Sequence, residues 1–272
     1  MKVSPNRRLI LGSALVGGVT LMALLSFFWT PYKISDMSGG RLTPPSFHHI
    51  LGTDTLGRDQ FSRLILGSRI AVSVGFSSIV IGTFIGVPLG LLAGFARRRL
   101  DDLLSSFLDI LIAFPTLLLA MLIVAARGAS RFSAIIAIGL GISTIFARLT
   151  RYLTRDVLSK DFIAAARISG TSWPRIISLH ILPNIWPTLL VATAIQFGVA
   201  GLAEASLSYL GLGAPPPNDS WGSLLQQAQN TVYTAPLAAI VPGLFLILLV
   251  VGVNLLADGI RTQFDPKLKG QK

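Results

Sequence analysis

Five stretches of this 272-residue chain contain no Asp, Glu, Lys or Arg: 9–29, 70–96, 110–126, 185–203 and 237–257. A hydrocarbon core of roughly 30 Å needs about 20 apolar residues of helix, and each stretch comes close to or exceeds that length. A shorter run, 132–147, lies between the third and the fourth. Only 13% of the residues are charged, against about 25% in soluble domains. The pattern predicts an all-α, polytopic membrane protein of six transmembrane helices, whose function is exercised across or within a bilayer.

The formal charge of +11 does not point to nucleic acid, because the basic residues cluster beside the apolar runs, as positive-inside topology requires. With the N-terminus inside, the inner segments hold Lys2, Arg7 and Arg8; Arg97, Arg98 and Arg99; Arg148, Arg151, Arg155, Lys160, Arg167 and Arg175; and Arg261, Lys267, Lys269 and Lys272. The outer segments hold fewer: Lys33, Arg41, Arg58, Arg63, Arg69, Arg127 and Arg131. Both termini are therefore expected in the cytoplasm. The N-terminal MKVSPNRR precedes a run longer than the 7–15 residues of a secretory core, so an uncleaved first span is expected. The chain has no cysteine, which removes disulfides, thiolate metal sites and a Cys nucleophile. It also lacks G-x-x-x-x-G-K-[ST], G-x-S-x-G and H-E-x-x-H, so it does not look catalytic by itself.

The organisation read from these runs is a cytoplasmic N-terminus and first span over 1–29 and an extracytoplasmic loop over 30–69. A core of five further spans covers 70–258, with an inner loop at 149–184 inside it, and a cytoplasmic tail covers 259–272. Gly82, Gly86, Gly90 and Gly94 recur every fourth residue, a stripe on which another helix can approach closely.

The inner loop is long, and long loops in compact proteins are usually functional. Asp161 is placed to cap a short helix running to Ile168, with a small-residue face at Ala164, Ala165 and Ala166. Gly170 tolerates the positive φ at a helix end. Thr171 or Ser172 then caps a second helix, with Pro174 in its first turn, Ile176, Ile177 and Ile181 on its apolar side, and Pro183 ending it. Helix, glycine turn and helix suggest a lever that docks into a partner. An amphipathic helix resting on lipid is the alternative.

In-membrane polar groups are functional hypotheses. Asp109, Gln196, Glu204 and Asn254 are therefore candidates for a translocation path, with structural pairing as the other reading. Asp54 and Asp59 lack calcium-loop spacing and are read as turn-stabilising together with Arg58. His48, His49 and His180 are not arranged as metal ligands. The turn at 215–220, with Trp221 and Tyr233 near it, is expected to rest at the outer interface or to touch a partner.

The loop resembles the cytoplasmic coupling motif of binding-protein-dependent ABC importer permeases: Glu-Ala-Ala, three residues, Gly, then a later Leu-Pro. Ala165, Ala166, Gly170, Leu182 and Pro183 match it, and Ala164 stands at the Glu position. That departure removes a carboxylate and leaves the packing role of the small residues and the turn. The run from His49 through Gly52, Thr53, Asp54, Gly57, Arg58 and Asp59 to Ser62, Arg63, Gly67 and Arg69 is similar to a stretch of oligopeptide-, dipeptide- and nickel-type permeases. So are Ala113-Phe114-Pro115, the stretch from Glu204 to Gly213, Trp221-Gly222, and Asp258-Gly259-Ile260-Arg261 followed by Asp265-Pro266.

This resemblance implies the type I ABC importer permease architecture in a bacterial-type inner membrane. It implies ATPase coupling through Asp161, Ala164, Ala165, Ala166, Gly170, Ile181, Leu182 and Pro183. The implied partners are a second homologous permease, two cytoplasmic ABC ATPases and an extracytoplasmic substrate-binding protein. No cofactor is expected in this chain, since ATP and Mg would be bound by the ATPases. Peptides are the expected cargo, with nickel or a metal chelate (a metallophore complex) as the alternative. A proton-coupled secondary carrier, served by Asp109 and Glu204, is the reading of another class.

Overall fold

The structure is a computed structural model and describes residues 5–96 and 98–264. Its helices are α1 (Pro5–Leu25), α2 (Gln60–Phe95), α3 (Arg98–Ala113), α4 (Thr116–Arg127), α5 (Arg131–Leu158), α6 (Asp161–Ile168), α7 (Trp173–Ile176), α8 (Leu182–Tyr209), α9 (Trp221–Ala228) and α10 (Leu237–Phe264). A π-helical turn, Ile177–Ile181, joins α7 to α8. Five helical segments are long and apolar enough to cross a membrane, and the bent pair α3–α4 makes up to six. Lys2, Arg97, Asp265, Pro266, Lys267, Lys269 and Lys272 lie outside the described residues.

The centre of the bundle is the packing of α2 on α5. A Cβ on Gly82 would come within 2.5 Å of Ile142 Cγ2, one on Gly86 within 2.7 Å of Phe146 Cβ, and one on Gly94 within 2.7 Å of Thr154. The glycine stripe is therefore a groove that receives one face of α5, where Ile138, Ile142, Phe146 and Ala147 are buried. Dispersion between closely spaced backbones, not water exclusion, holds helices together in lipid. On the other side α10 packs on both α1 and α8.

Four element boundaries differ from the sequence expectation. The third span is not one helix: Phe114 and Pro115 separate α3 from α4, which meet at 85°. Pro115 lacks an N–H and disfavours helical geometry in the residue before it, so the helix stops there. The short fourth run is the apolar part of a 28-residue helix, because α5 continues through Arg148, Arg151 and Arg155 to Leu158. The segment expected as a loop from 149 thus begins as helix, just as the segment expected as loop to 69 is helical from Gln60, and the expected tail is helical to Phe264. At 36 residues α2 is ~54 Å long at 1.5 Å per residue. It overshoots a hydrocarbon core and carries its first turns into the loop region.

Candidate functional site

At the end of the bundle that holds α6, the chain leaves α5 at Ser159 and turns through Lys160 into α6. Asp161 is the first helical residue, where its charge complements the helix dipole. It is not the cap: Lys160 holds that position and makes no side-chain cap bond. Only Ile163 of α6 is buried. It joins Val157, Ile176 and Ile181 in the main core, and the Phe162 ring lies 6.1 Å from that of His180. Ala164 and Ala165 are exposed, Ala166 is half-buried, and Ile168 stands 88% exposed.

Gly170 then turns the chain with φ +81°. The N–H groups of Ser169, Gly170 and Thr171 return to Ala165, Arg167 and Ala166 carbonyls, closing the last turn of α6. Its chain neighbours aside, no atom of the described residues lies within 4 Å of where a Gly170 Cβ would be, so the requirement for glycine there is conformational, not steric. Ser172 sits at the cap of α7 without a side-chain bond, and Pro174 occupies its first turn, as expected. Trp173 holds the elbow together: the Arg167 guanidinium lies 4.3 Å from its ring centre. Its edge meets Phe95, at the end of α2, at 5.1 Å.

Pro183 does not end this segment. Trp173–Tyr209 runs as one 37-residue helical span. The π turn explains how, since a widened turn relieves the clash of a proline ring with the carbonyl four residues back. The Leu182 N–H reaches Ile177 O, five residues back, and Asn184 Nδ2 donates to His180 O at 2.6 Å. Leu182 and Pro183 therefore make a rigid continuation from the elbow into α8. Beside the elbow, Asp101 of α3 accepts from Arg151 at 2.7 and 2.9 Å and pairs with Arg155 at 2.7 Å, fastening α3 to the end of α5.

The opposite end is a clamp. Asp54 Oδ1 accepts from the Leu56 and Arg58 N–H groups, and Oδ2 from the Arg58 guanidinium. This is the Asp-stabilised turn expected from the sequence. Asp59 caps α2 through the Ser62 N–H and hydroxyl, each at 2.7 Å, and faces His49 Nδ1 at 2.9 Å. Arg63, 1% exposed, donates to Asp54 at 2.8 Å, to Asp219 at 2.7 and 2.8 Å and to Gln227 at 2.8 Å. Ser220 and Ser223 form a capping box at the start of α9. Trp221, expected at the outer interface, is instead fully buried; its indole donates to Leu64 O at 3.0 Å, and its ring fills the space beside Gly67. Tyr233 is fully exposed.

The four path candidates are not brought together, and among the described residues no hydrogen bond joins any two of them. Asp109 on α3 pairs with Arg148 at 3.5 Å, both side chains about 60% exposed. Glu204 is buried in α8 and accepts from Ser208 at 2.6 Å. Asn254 on α10 donates to its own helix at Val250 O. Gln196 has a buried side-chain oxygen with no partner among the described residues. Among the described residues, no three His, Asp or Glu side chains gather into a group that could hold a metal.

Sequence reasoning missed the Arg63–Asp219 pairing, the Asp101 tie and the anchoring role of Trp173. The first two join residues far apart in the chain. For Trp173, a lone aromatic beside a cation within a short helix was the available signal.

A family described as binding-protein-dependent transport system inner membrane component matches residues 86–270. A dipeptide transport system permease protein of Alkalihalophilus pseudofirmus is 37% identical over 98% of this chain and 88% of its own length. A di/tripeptide transport system permease protein of Pseudomonas aeruginosa is 39% identical over 93% and 88%, and a glutathione transport system permease protein of Pectobacterium atrosepticum is 38% identical over 94% and 87%. Among solved structures, the inward-facing MetNI methionine ABC transporter has a chain that superposes with TM-score 0.63 at 21% identity, covering 74% of this chain and 95% of that one. At that identity the likeness is one of fold.

Proposed function

The chain belongs to the binding-protein-dependent transport system inner membrane component family, and from that premise we propose that it forms half of the path of an ATP-driven importer of short peptides. The family supports an ABC importer permease, and relatives named for dipeptide, di/tripeptide and glutathione transport support peptide cargo. A second permease, two cytoplasmic ATPases and an extracytoplasmic binding protein complete the machine in this reading. ATP and Mg belong to the ATPases. Positive-inside bias puts both termini and the elbow in the cytoplasm and the clamp outside.

The observation that carries the mechanism is the exposed α6 on its Gly170 elbow. The docking candidates are Asp161, Ala164, Ala165, Ala166 and Gly170. Ile181, Leu182 and Pro183 carry motion onward into α8. The elbow touches α2 through Trp173 and Phe95 and continues into α8 without a break. A push on α6 is therefore delivered to two spans at once, a rigid-body coupling that suits alternating access. The clamp meanwhile holds the other end of α2 to α9, so that end moves as a unit.

A proton-coupled carrier would need Glu204 and Asp109 on a shared route, and they face different partners, Ser208 and Arg148, with no hydrogen bond between the two carboxylates among the described residues. The deciding experiment is uptake of a labelled dipeptide into proteoliposomes holding the whole transporter. The proposal expects uptake that requires both enclosed ATP and added binding protein. Uptake driven by a pH gradient alone would contradict it.

A further inference from the structure

The break at Phe114–Pro115 has a packing consequence. Because α3 and α4 meet at 85°, they cannot both lie along α2 and α5, and a wedge of about 320 Å³ remains between the four helices. Its walls come from Ile85 and Leu89 of α2, Leu108 and Leu111 of α3, Leu119 of α4 and Thr144 of α5, among others. The size suits a small ligand: such sites span roughly 300–1,000 Å³, with apolar walls and a few placed polar groups. Ile112 and Ile145 also line a second, wider hollow that contains Arg148 and Tyr152. The apolar slot thus adjoins a hollow lined by a cation, and Asp109, one helical turn before Ile112, pairs with that cation at 3.5 Å. Both charged side chains are more than half exposed, so their mutual hold is weak and easily exchanged for another partner.

Resting on the reading of the chain as a peptide permease, we propose that this slot seats an apolar side chain of a short peptide in transit, with Arg148 taking the peptide carboxylate and Asp109 its ammonium group. A free dipeptide is a zwitterion bearing apolar side chains, and slot, cation and anion match those three features. An anionic amphiphile from the bilayer accounts for the slot and Arg148 but meets repulsion from Asp109. The permease thereby adds a preference for bulky apolar residues and free termini beyond any selection upstream of it. Nothing covalent occurs: the Asp109–Arg148 pair opens, each member takes the opposite peptide terminus, and it reforms on release.

The test is competitive uptake of Leu-Leu and Ala-Ala into proteoliposomes holding the complete transporter and one fixed binding protein. Thr144→Phe narrows the slot, and the Leu-Leu to Ala-Ala ratio is expected to fall about tenfold, as changes of side-chain size in a fitted pocket do. Arg148→Gln, at an exposed position, is expected to abolish any preference for Leu-Leu over its C-terminal amide. Unchanged ratios in both variants overturn the slot while leaving peptide import standing. Wild-type transporter that imports neither peptide with ATP overturns the import reading itself. Thr144→Phe that sheds a co-purified phospholipid while keeping the wild-type ratio identifies the slot as a lipid site and overturns the proposal.

Discussion

Arg63 shows what a single residue does here. Its guanidinium is buried, yet every hydrogen bond it makes goes to a carboxylate or an amide on another segment: Asp54 in the preceding turn, Asp219 before α9 and Gln227 within it. Removing Arg63 leaves the buried Asp219 carboxylate without its guanidinium, a broken buried pair that costs about 3–5 kcal/mol, while Asp54 keeps Arg58. Arg63→Met is therefore expected to lower the thermal unfolding midpoint of the purified protein markedly. A midpoint unchanged from wild type would mean the clamp does not stabilise the fold. Part of this cluster was legible in the sequence. Asp54 and Arg58 are four residues apart, and an Asp beside glycines makes its own turn. The rest was not, because Arg63 and Asp219 are 156 residues apart and only tertiary packing brings them together. Trp221 was misplaced for the same reason: an aromatic near a loop fits an interface as well as a core, and the space beside Gly67 decides between them.

At the scale of elements, the elbow was the most legible part of the chain, because local chemistry dictates it. A glycine after a short helix predicts positive φ, and Gly170 has it. Since no atom crowds the site, substitutions there should rank by backbone cost alone. The left-handed conformation costs an ordinary residue roughly 1–2 kcal/mol, with Asn tolerated better. Gly170→Val is expected to insert normally but lose most ATP-dependent uptake, and Gly170→Asn to retain much of it. Equal uptake by the two variants would separate the turn from transport. The glycine stripe of α2 was legible too, since its period of four needs no tertiary knowledge. Less legible were the break at Pro115 and the continuity at Pro183. Both are prolines in apolar helical sequence. Pro88 in α2, Pro187 in α8 and Pro242 in α10 also stand within continuous helices, so a proline alone does not decide the outcome, and single-residue propensities do not carry that information.

The whole molecule has two differently built ends joined by α2. One is dense with buried ion pairs and tied to α9, whereas the other carries an exposed helix anchored by the buried Ile163 and by Arg167 on Trp173. A rigid end and an exposed lever suit a subunit that is moved from one side and presents cargo to the other. Fold class and family were readable from the apolar runs and motifs, because bilayer thickness sets helix length directly. Which helices meet the slot was not readable, since that depends on the angle between α3 and α4. If α6 is the lever, the elbow faces the compartment of the ATPases and the clamp end faces away. Because the chain has no cysteine, single thiols introduced by Ser169→Cys and Tyr233→Cys report it cleanly with a membrane-impermeant maleimide. On intact cells the account predicts labelling at position 233 and protection at 169, reversed in inside-out vesicles; labelling at 169 on intact cells would contradict it.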